Sequence, residues 1–242
     1  MKVLIFGKKG YLSNSLLFDQ KKKFRVTLLS KKVLREKIKF KEKFDLIIHS
    51  LGANKFDSEK NKKETLKNKK KLTYSLINFA KEHNIRKIIY ISSTNIYKNN
   101  YNYNKNSYIN GHLQIEKSLK KISSAKLKIL VLRISHLFGI RDIVKSKGKF
   151  ISVPNKFIQS ALNRRKYLIK DKNAKINILP MSYLIFKIEN LINFKKNYKI
   201  VDISFINLKL TFTPSIFTAP GFFVRNSAAV MKNCVKSEPV LI

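Results

Sequence analysis

The sequence predicts an α/β fold built on a doubly wound parallel sheet, and three observations carry that prediction. Short apolar runs such as Val3-Leu4-Ile5-Phe6 and Ile88-Ile89-Tyr90-Ile91 have the length and continuity of strands buried on both faces. Longer stretches with apolar residues at helical spacing alternate with them. The first run ends in Gly7-Lys8-Lys9-Gly10-Tyr11-Leu12-Ser13, a glycine turn that opens a helix.

Taken in order, residues 2–6 read as a buried strand and 11–20 as a helix, with Leu12, Ser15, Leu16 and Leu17 near its inner face. Residues 24–29 form a second strand. The charged stretch 30–43 holds one helix or a poor edge strand. Phe44-Asp45-Leu46-Ile47-Ile48-His49 is a third strand, and 58–83 a long amphipathic helix whose apolar side includes Leu66, Leu72, Leu76, Ile77, Phe79 and Ala80. Residues 86–92 are the next buried strand. An Asn- and Tyr-rich loop, 98–107, leads to a helix at 108–122 and a strand at 127–134. After Gly139 the alternation loosens, with a helix near 155–165, a strand near 176–179, a helix near 182–193 and a strand near 199–203. Residues 205–242 change character: lysine becomes sparse and three of the five prolines occur there, so they are set apart as an atypical tail.

At 242 residues and 44% hydrophobic composition the chain can bury one sizeable core, or one core with a small appendage. Its single cysteine, Cys234, rules out an internal disulfide and suits a reducing cytoplasm. Neither a signal peptide nor a membrane span is expected, because no apolar run is long enough. The net charge of +38 invites a nucleic-acid reading. Only eight of the 52 cations are arginine, however, and the lysines are spread over the whole chain. Bidentate phosphate recognition favours arginine, so specific nucleic-acid binding is not expected, and nonspecific adhesion to polyanions at low salt is the weaker reading.

Gly7, Gly10 and Ser13 stand in a G-x-x-G-x-x-G frame between a strand and a helix. Such a frame needs glycine where the chain turns sharply and where backbone approaches a pyrophosphate. The helix N-terminus then offers free N–H groups. The third position requires only a small residue, which Ser13 supplies. Residues 1–150 are therefore expected to be a dinucleotide-binding domain of Rossmann type. The second strand ends in Leu28-Leu29-Ser30-Lys31-Lys32, with no acid to bind a ribose 2′-hydroxyl. Ser30, Lys31 and Lys32 suit a 2′-phosphate and favour NADP, with NAD left open because lysines follow almost every element.

With these residues in view, the chain resembles an extended short-chain dehydrogenase/reductase, nearest to the nucleotide-sugar epimerases, dehydratases and reductases. Phe44-Asp45-Leu46-Ile47-Ile48-His49-Ser50-Leu51-Gly52 resembles a D-x-V-I-H-x-A-A segment, which implies that Leu51 and Gly52 lie along the cofactor. Asn68 matches an asparagine that helps to order the active site. Ile91-Ser92-Ser93-Thr94-Asn95-Ile96-Tyr97 resembles I-S-S-x-x-V-Y, making Ser93 the counterpart of the catalytic Ser/Thr. Leu132-Arg133-Ile134-Ser135-His136-Leu137-Phe138-Gly139 resembles L-R-x-x-N-x-Y-G.

Tyr108-Ile109-Asn110-Gly111-His112-Leu113-Gln114-Ile115-Glu116 resembles Y-G-x-S-K-x-x-x-E, with Glu116 supporting the register and His112 at the lysine's place. The resemblance implies that Tyr108 relays a proton to or from a substrate hydroxyl. A tyrosine of pKa ~10 is a poor base without a nearby cation. His112 either substitutes for the lysine, donating to the ribose and charging when protonated, or marks a decayed site. A literal Y-x-x-x-K at Tyr101 and Lys105 lies in the loop and reads as a chance match. His49, His83 and His136 have no ligand spacing, so no metal is expected.

The resemblance thus implies an NAD(P)-dependent nucleotide-sugar oxidoreductase, epimerase or dehydratase of surface-polysaccharide metabolism. The alternative is a non-catalytic NAD(P)-binding sensor or partner protein of the same fold. It further implies a C-terminal substrate lobe, reduced here to residues 151–204, and is compatible with a homodimer.

Overall fold

The computed structural model describes residues 1–8, 10–18, 24–36, 40, 42–52, 58, 61–97, 106–139, 152–163 and 175–209. The expectations for the loop around Tyr101 and Lys105, and for the tail beyond Lys209, concern residues outside this set.

In chain order the elements are β1 (Lys2–Phe6), α1 (Tyr11–Phe18), β2 (Arg25–Leu29), α2 (Val33–Glu36), β3 (Leu46–His49), α3 (Lys62–Glu82) and β4 (Lys87–Ser93). A single turn of tighter helix, Thr94–Tyr97, follows. Then come α4 (Ser107–Ile122), β5 (Lys128–Ile134), β6 (His136–Phe138), α5 (Val153–Leu162), β7 (Lys175–Pro180), α6 (Met181–Leu191), β8 (Tyr198–Ile203) and β9 (Ile206–Lys209). Among the described residues, the charged stretch after β2 holds a short helix and no edge strand.

Six strands pair in parallel in the order β2-β1-β3-β4-β5-β8, the doubly wound sheet that the alternation predicts. Alternate side chains of each strand point to opposite faces, which splits the core in two. Leu4, Phe6, Ile47, Ile88, Tyr90, Ile129 and Val131 pack with Leu76, Phe79 and Ala80 of α3 and Ile115 and Leu119 of α4. Val3, Ile5, Ile48, Ile89, Leu130 and Leu132 pack with Leu12 and Leu16 of α1 and Leu184, Ile185 and Ile188 of α6. Burial on both faces is why these strands read as continuous apolar runs. Among the described residues no helix is long and apolar enough to cross a membrane.

Chemistry at the helix ends sets the entry and exit angles. Asn106 caps α4, its side chain accepting from the Ile109 N–H at 3.1 Å. Asn84 (φ 55°) takes the left-handed turn that ends α3 and leads into β4.

A second, three-stranded sheet has the order β6-β7-β9, with β6 parallel and β9 antiparallel to β7. Two strand pairings reach across the expected boundaries. Residues 206–209, assigned to the tail, pair along β7 from Ile178↔Ile206 to Lys175↔Lys209; four residues are too short a run to show a period. β8, on the far side of the division at residue 150, completes the main sheet beside β5.

Candidate active site

Connections run outward in both directions from β1, so the sheet has its switch point between β1 and β3. In open α/β sheets a crevice for ligands opens there, beyond the carboxyl ends of the strands. The chain places the turn Gly7–Gly10 after β1 and Ser50-Leu51-Gly52 after β3.

Gly7 has φ +125°, a backbone that a side chain rarely adopts. Its N–H donates to Leu29 O at 3.1 Å, and the Gly10 N–H returns to Gly7 O at 2.7 Å. Ser13 is fully buried, its hydroxyl 3.1 Å from that of Ser50, which donates to Phe6 O at 2.8 Å. The expected small third residue thus ties α1 to the ends of β1 and β3.

A cavity of about 360 Å³ opens beside this turn. Tyr11, Ser50, Leu51 and Gly52 form one part of its wall, Ser92, Ser93 and Asn95 another, Tyr108 and His112 a third, and Ser135, His136 and Leu137 a fourth. Segments far apart in sequence meet here because β1, β3, β4 and β5 are adjacent parallel strands whose carboxyl ends all face one side.

Tyr108 and Ser93 come together at the cavity. Tyr108 is half-buried, and burial raises its phenol pKa above the usual value of about 10, while a hydrogen bond with the Ser93 hydroxyl works in the opposite direction. Ser93 Oγ also accepts from the Asn95 N–H at 3.2 Å, so its orientation is fixed by backbone.

Tyr108, His112 and Glu116 share one face of α4 because residues four apart stack on a helix. The His112 ring meets the Tyr108 ring edge-on, with centroids 4.7 Å apart. Its Nδ1 is hydrogen-bonded to the Tyr90 hydroxyl at 2.8 Å. Burial, with smaller pushes from Lys69 and His49, holds its pKa well below the usual 6.5. His112 is therefore neutral. Ser92 Oγ, 3.4 Å from the same Nδ1, spends its own proton on Glu116 Oε1 at 2.5 Å. Glu116 is held in turn by Arg133, whose Nη2 is 2.6 Å from Oε2. Arg133 also donates to Tyr97, and Tyr97 donates to Asp202 Oδ2 at 2.9 Å.

Of the residues expected at the site, Ser93, Tyr108, His112, Leu51 and Gly52 line the cavity. Gly7, Gly10 and Ser13 form the turn beside it. Ser30, Lys31 and Lys32 stand at the end of β2, where Ser30 Oγ accepts from the Lys32 N–H at 3.3 Å and both lysines are exposed. Asn68 does not reach the cavity: it is exposed and donates to Glu64 Oε1 at 3.3 Å. One residue further round the helix, Lys69 is buried and lines the wall instead. Among the described residues no cluster of three metal-ligating side chains occurs.

A family model described as the NAD dependent epimerase/dehydratase family matches residues 1–176. No curated protein matches the sequence. Among solved structures, a UDP-N-acetylglucosamine 4-epimerase from Methanobrevibacter ruminantium in complex with UDP-N-acetylmuramic acid is 19% identical, with a TM-score of 0.66 over 89% of this chain and 79% of its own. The UDP-glucose 4-epimerase from Bifidobacterium longum, in complex with NAD+ and UDP, is 16% identical, with a TM-score of 0.65 over 87% and 80%. RMD from Pseudomonas aeruginosa, complexed with NADPH, is 14% identical, with a TM-score of 0.68 over 89% and 81%. At these identities the likeness is one of fold.

Proposed function

The chain belongs to the NAD dependent epimerase/dehydratase family, and we propose that it acts on a nucleotide sugar with a nicotinamide dinucleotide, by epimerisation, dehydration or reduction, in surface-polysaccharide metabolism. The observation that carries this reading is the convergence of the Ser93 hydroxyl and the Tyr108 phenol on one cavity at the switch point of the sheet. The NAD+ bound to the B. longum protein and the NADPH bound to the P. aeruginosa protein support the cofactor class, and the UDP-N-acetylmuramic acid bound to the M. ruminantium protein supports the substrate class.

The residues present fit a dinucleotide. The turn Gly7–Gly10 brings backbone close to the first N–H groups of α1, which have no partner within the helix. Ser135 Oγ is buried at the cavity and lacks a hydrogen-bond partner among the described residues, so a bound ligand would satisfy it. Ser30, Lys31 and Lys32 favour a 2′-phosphate and hence NADP. When bound, the nicotinamide supplies the group that accepts and returns hydride. Tyr108 takes or returns the proton of the sugar hydroxyl, and Ser93 holds that oxygen and the phenol in register.

Tyr108→Phe tests the assignment because it removes one hydroxyl and leaves the ring. Turnover of UDP-sugars should fall by at least about a hundredfold, with NADPH affinity unchanged. Equal turnover in wild type and Tyr108→Phe would sink the role given to Tyr108. One observation favours a second reading, a non-catalytic dinucleotide-binding protein: the neutral, buried His112 stands where the resemblance calls for lysine. NADPH binding without turnover of any sugar nucleotide would select it.

A further inference from the structure

Lysine rarely occupies the buried stripe of a helix, yet α3 carries one. Lys69 is 5% exposed, on the same face as Thr73, Leu76, Ile77 and Ala80. A buried ammonium ordinarily has a carboxylate or several acceptors around it. Among the described residues Lys69 has neither an ion pair nor a side-chain hydrogen bond. Its stem passes between two residues that lack side chains. A Cβ on Gly52 would lie 3.5 Å from its Cε, and a Cβ on Gly111 3.5 Å from its Cδ. The ammonium ends 5.6 Å from the centre of the Tyr108 ring, in the cavity wall shared with Ser93 and His112.

The rotation of α3 that aims Lys69 this way is locked by a relay of hydrogen bonds. The Leu51 N–H donates to His49 Nδ1 at 3.2 Å, and His49 Nε2–H donates to Thr73 Oγ1 at 2.9 Å. Thr73 Oγ1–H donates to the Lys69 carbonyl at 2.9 Å. Leu51 N–H, His49 and Thr73 each give one proton to the next group, and the Lys69 carbonyl accepts the last.

We propose that Lys69 is the cation that serves Tyr108, reaching from α3 into the place that a charged residue on Tyr108's own helix would fill. This rests on Tyr108 being the proton relay. Lys69 acts through Tyr108 and is thus a positioning residue. The titratable and charged groups facing it are His49 on β3 and Tyr108, His112 and Glu116 on α4. His49 and His112 are held neutral, and Glu116 is engaged by Arg133. Burial lowers the Lys69 pKa to about 7, with Glu116 opposing the shift. A desolvated ammonium without a counter-ion gains from any negative charge that forms on the phenol. By linkage, the phenolate gains equally from the ammonium.

NMR titration of the full chain, labelled with carbon-13 at tyrosine Cζ and lysine Cε, tests this from about pH 5 to 12. The Tyr108 and Lys69 signals are those lost in Tyr108→Phe and Lys69→Met. Lys69→Arg keeps a charge at every pH, whereas Lys69→Met and Lys69→Gln remove it. The Tyr108 midpoint should be lower by at least about one pH unit, or tenfold in proton affinity, in Lys69→Arg than in either neutral variant. Wild-type Lys69 should titrate near neutrality, far below the surface lysines.

Equal Tyr108 midpoints in Lys69→Arg and the neutral variants overturn the pairing. So does a wild-type Lys69 that titrates with the surface lysines, a result independent of how well Lys69→Arg folds. Coupling without turnover of any sugar nucleotide sinks the enzymatic reading and leaves the pairing standing. Turnover without coupling does the reverse.

Discussion

Substituting Gly7 by Ala should damage the turn at two separable places. Gly7 has φ +125°, so a side chain there carries backbone strain of about 1–3 kcal/mol. The new Cβ would also stand 2.7 Å from Ser50 Oγ and 3.3 Å from Ser13 Oγ. Ser50 cannot swing aside without releasing Phe6 O, to which it donates at 2.8 Å, and that bond is worth about 0.5–1.5 kcal/mol. The total expected loss is about 2–4 kcal/mol, read as a lower urea midpoint at unchanged slope. In a Ser50→Ala background the nearer oxygen is gone, and the backbone strain and the looser approach to Ser13 Oγ remain. Gly7→Ala should therefore cost about 1 kcal/mol less there, a coupling that a double-mutant cycle resolves. A loss below about 0.5 kcal/mol in the wild-type background, or the same loss in both backgrounds, would refute this account of the turn.

Three further outcomes are expected. His112→Lys strips the buried Tyr90 hydroxyl of its hydrogen-bond partner and brings a second ammonium near Lys69, so stability should fall by about 1–3 kcal/mol. A gain in turnover at pH 8 would contradict the neutral role of the imidazole. Lys31→Ala with Lys32→Ala should erase a preference for NADPH over NADH of about 1–2 kcal/mol, measured by calorimetry at physiological salt, while NADH binding stays nearly constant; equal affinities in wild type would reject the preference. Acidification should destabilise the fold because His49, with a pKa of about 3, binds no proton where the unfolded chain, near 6.5, does. The stability present above pH 6.5 is lost as pH falls towards 3. Histidine NMR checks this, and a His49 that titrates near 6.5 in the folded protein would be incompatible with it.

Apart from α2, left open between a helix and an edge strand, the strands and helices up to Ile134 could be read from the chain because their signals are local. β1, β3, β4 and β5 are covered on both faces, so each is an unbroken apolar run, and each helix repeats its apolar face within a few turns. The glycine turn was legible for a related reason, since a strand, two glycines and a helix follow one another in a short string. β9 was not legible. Four residues carry too little period, and their partner in β7 lies some thirty residues earlier. β8 was seen as a strand, but its place beside β5 depends on a crossover that no local pattern encodes.

The candidate site divides along the same line. Ser93, Tyr108 and His112 could be named in advance because they sit in short contiguous strings. Lys69 had a signal that residue type obscured: it falls at helical spacing with Leu66, Thr73, Leu76 and Ala80, on the stripe that faces the sheet. In a chain with 52 cations one more lysine carried no weight, and Asn68 drew the attention instead. What the amino-acid order determined is the class of fold, the glycine turn and the pairing of a serine with a tyrosine, all set by neighbours within a few turns. What only the tertiary structure decided is the charge of the site. It neutralises His112 beneath Tyr90 and threads Lys69 between Gly52 and Gly111, because desolvation and proximity depend on how distant segments pack and not on their order along the chain.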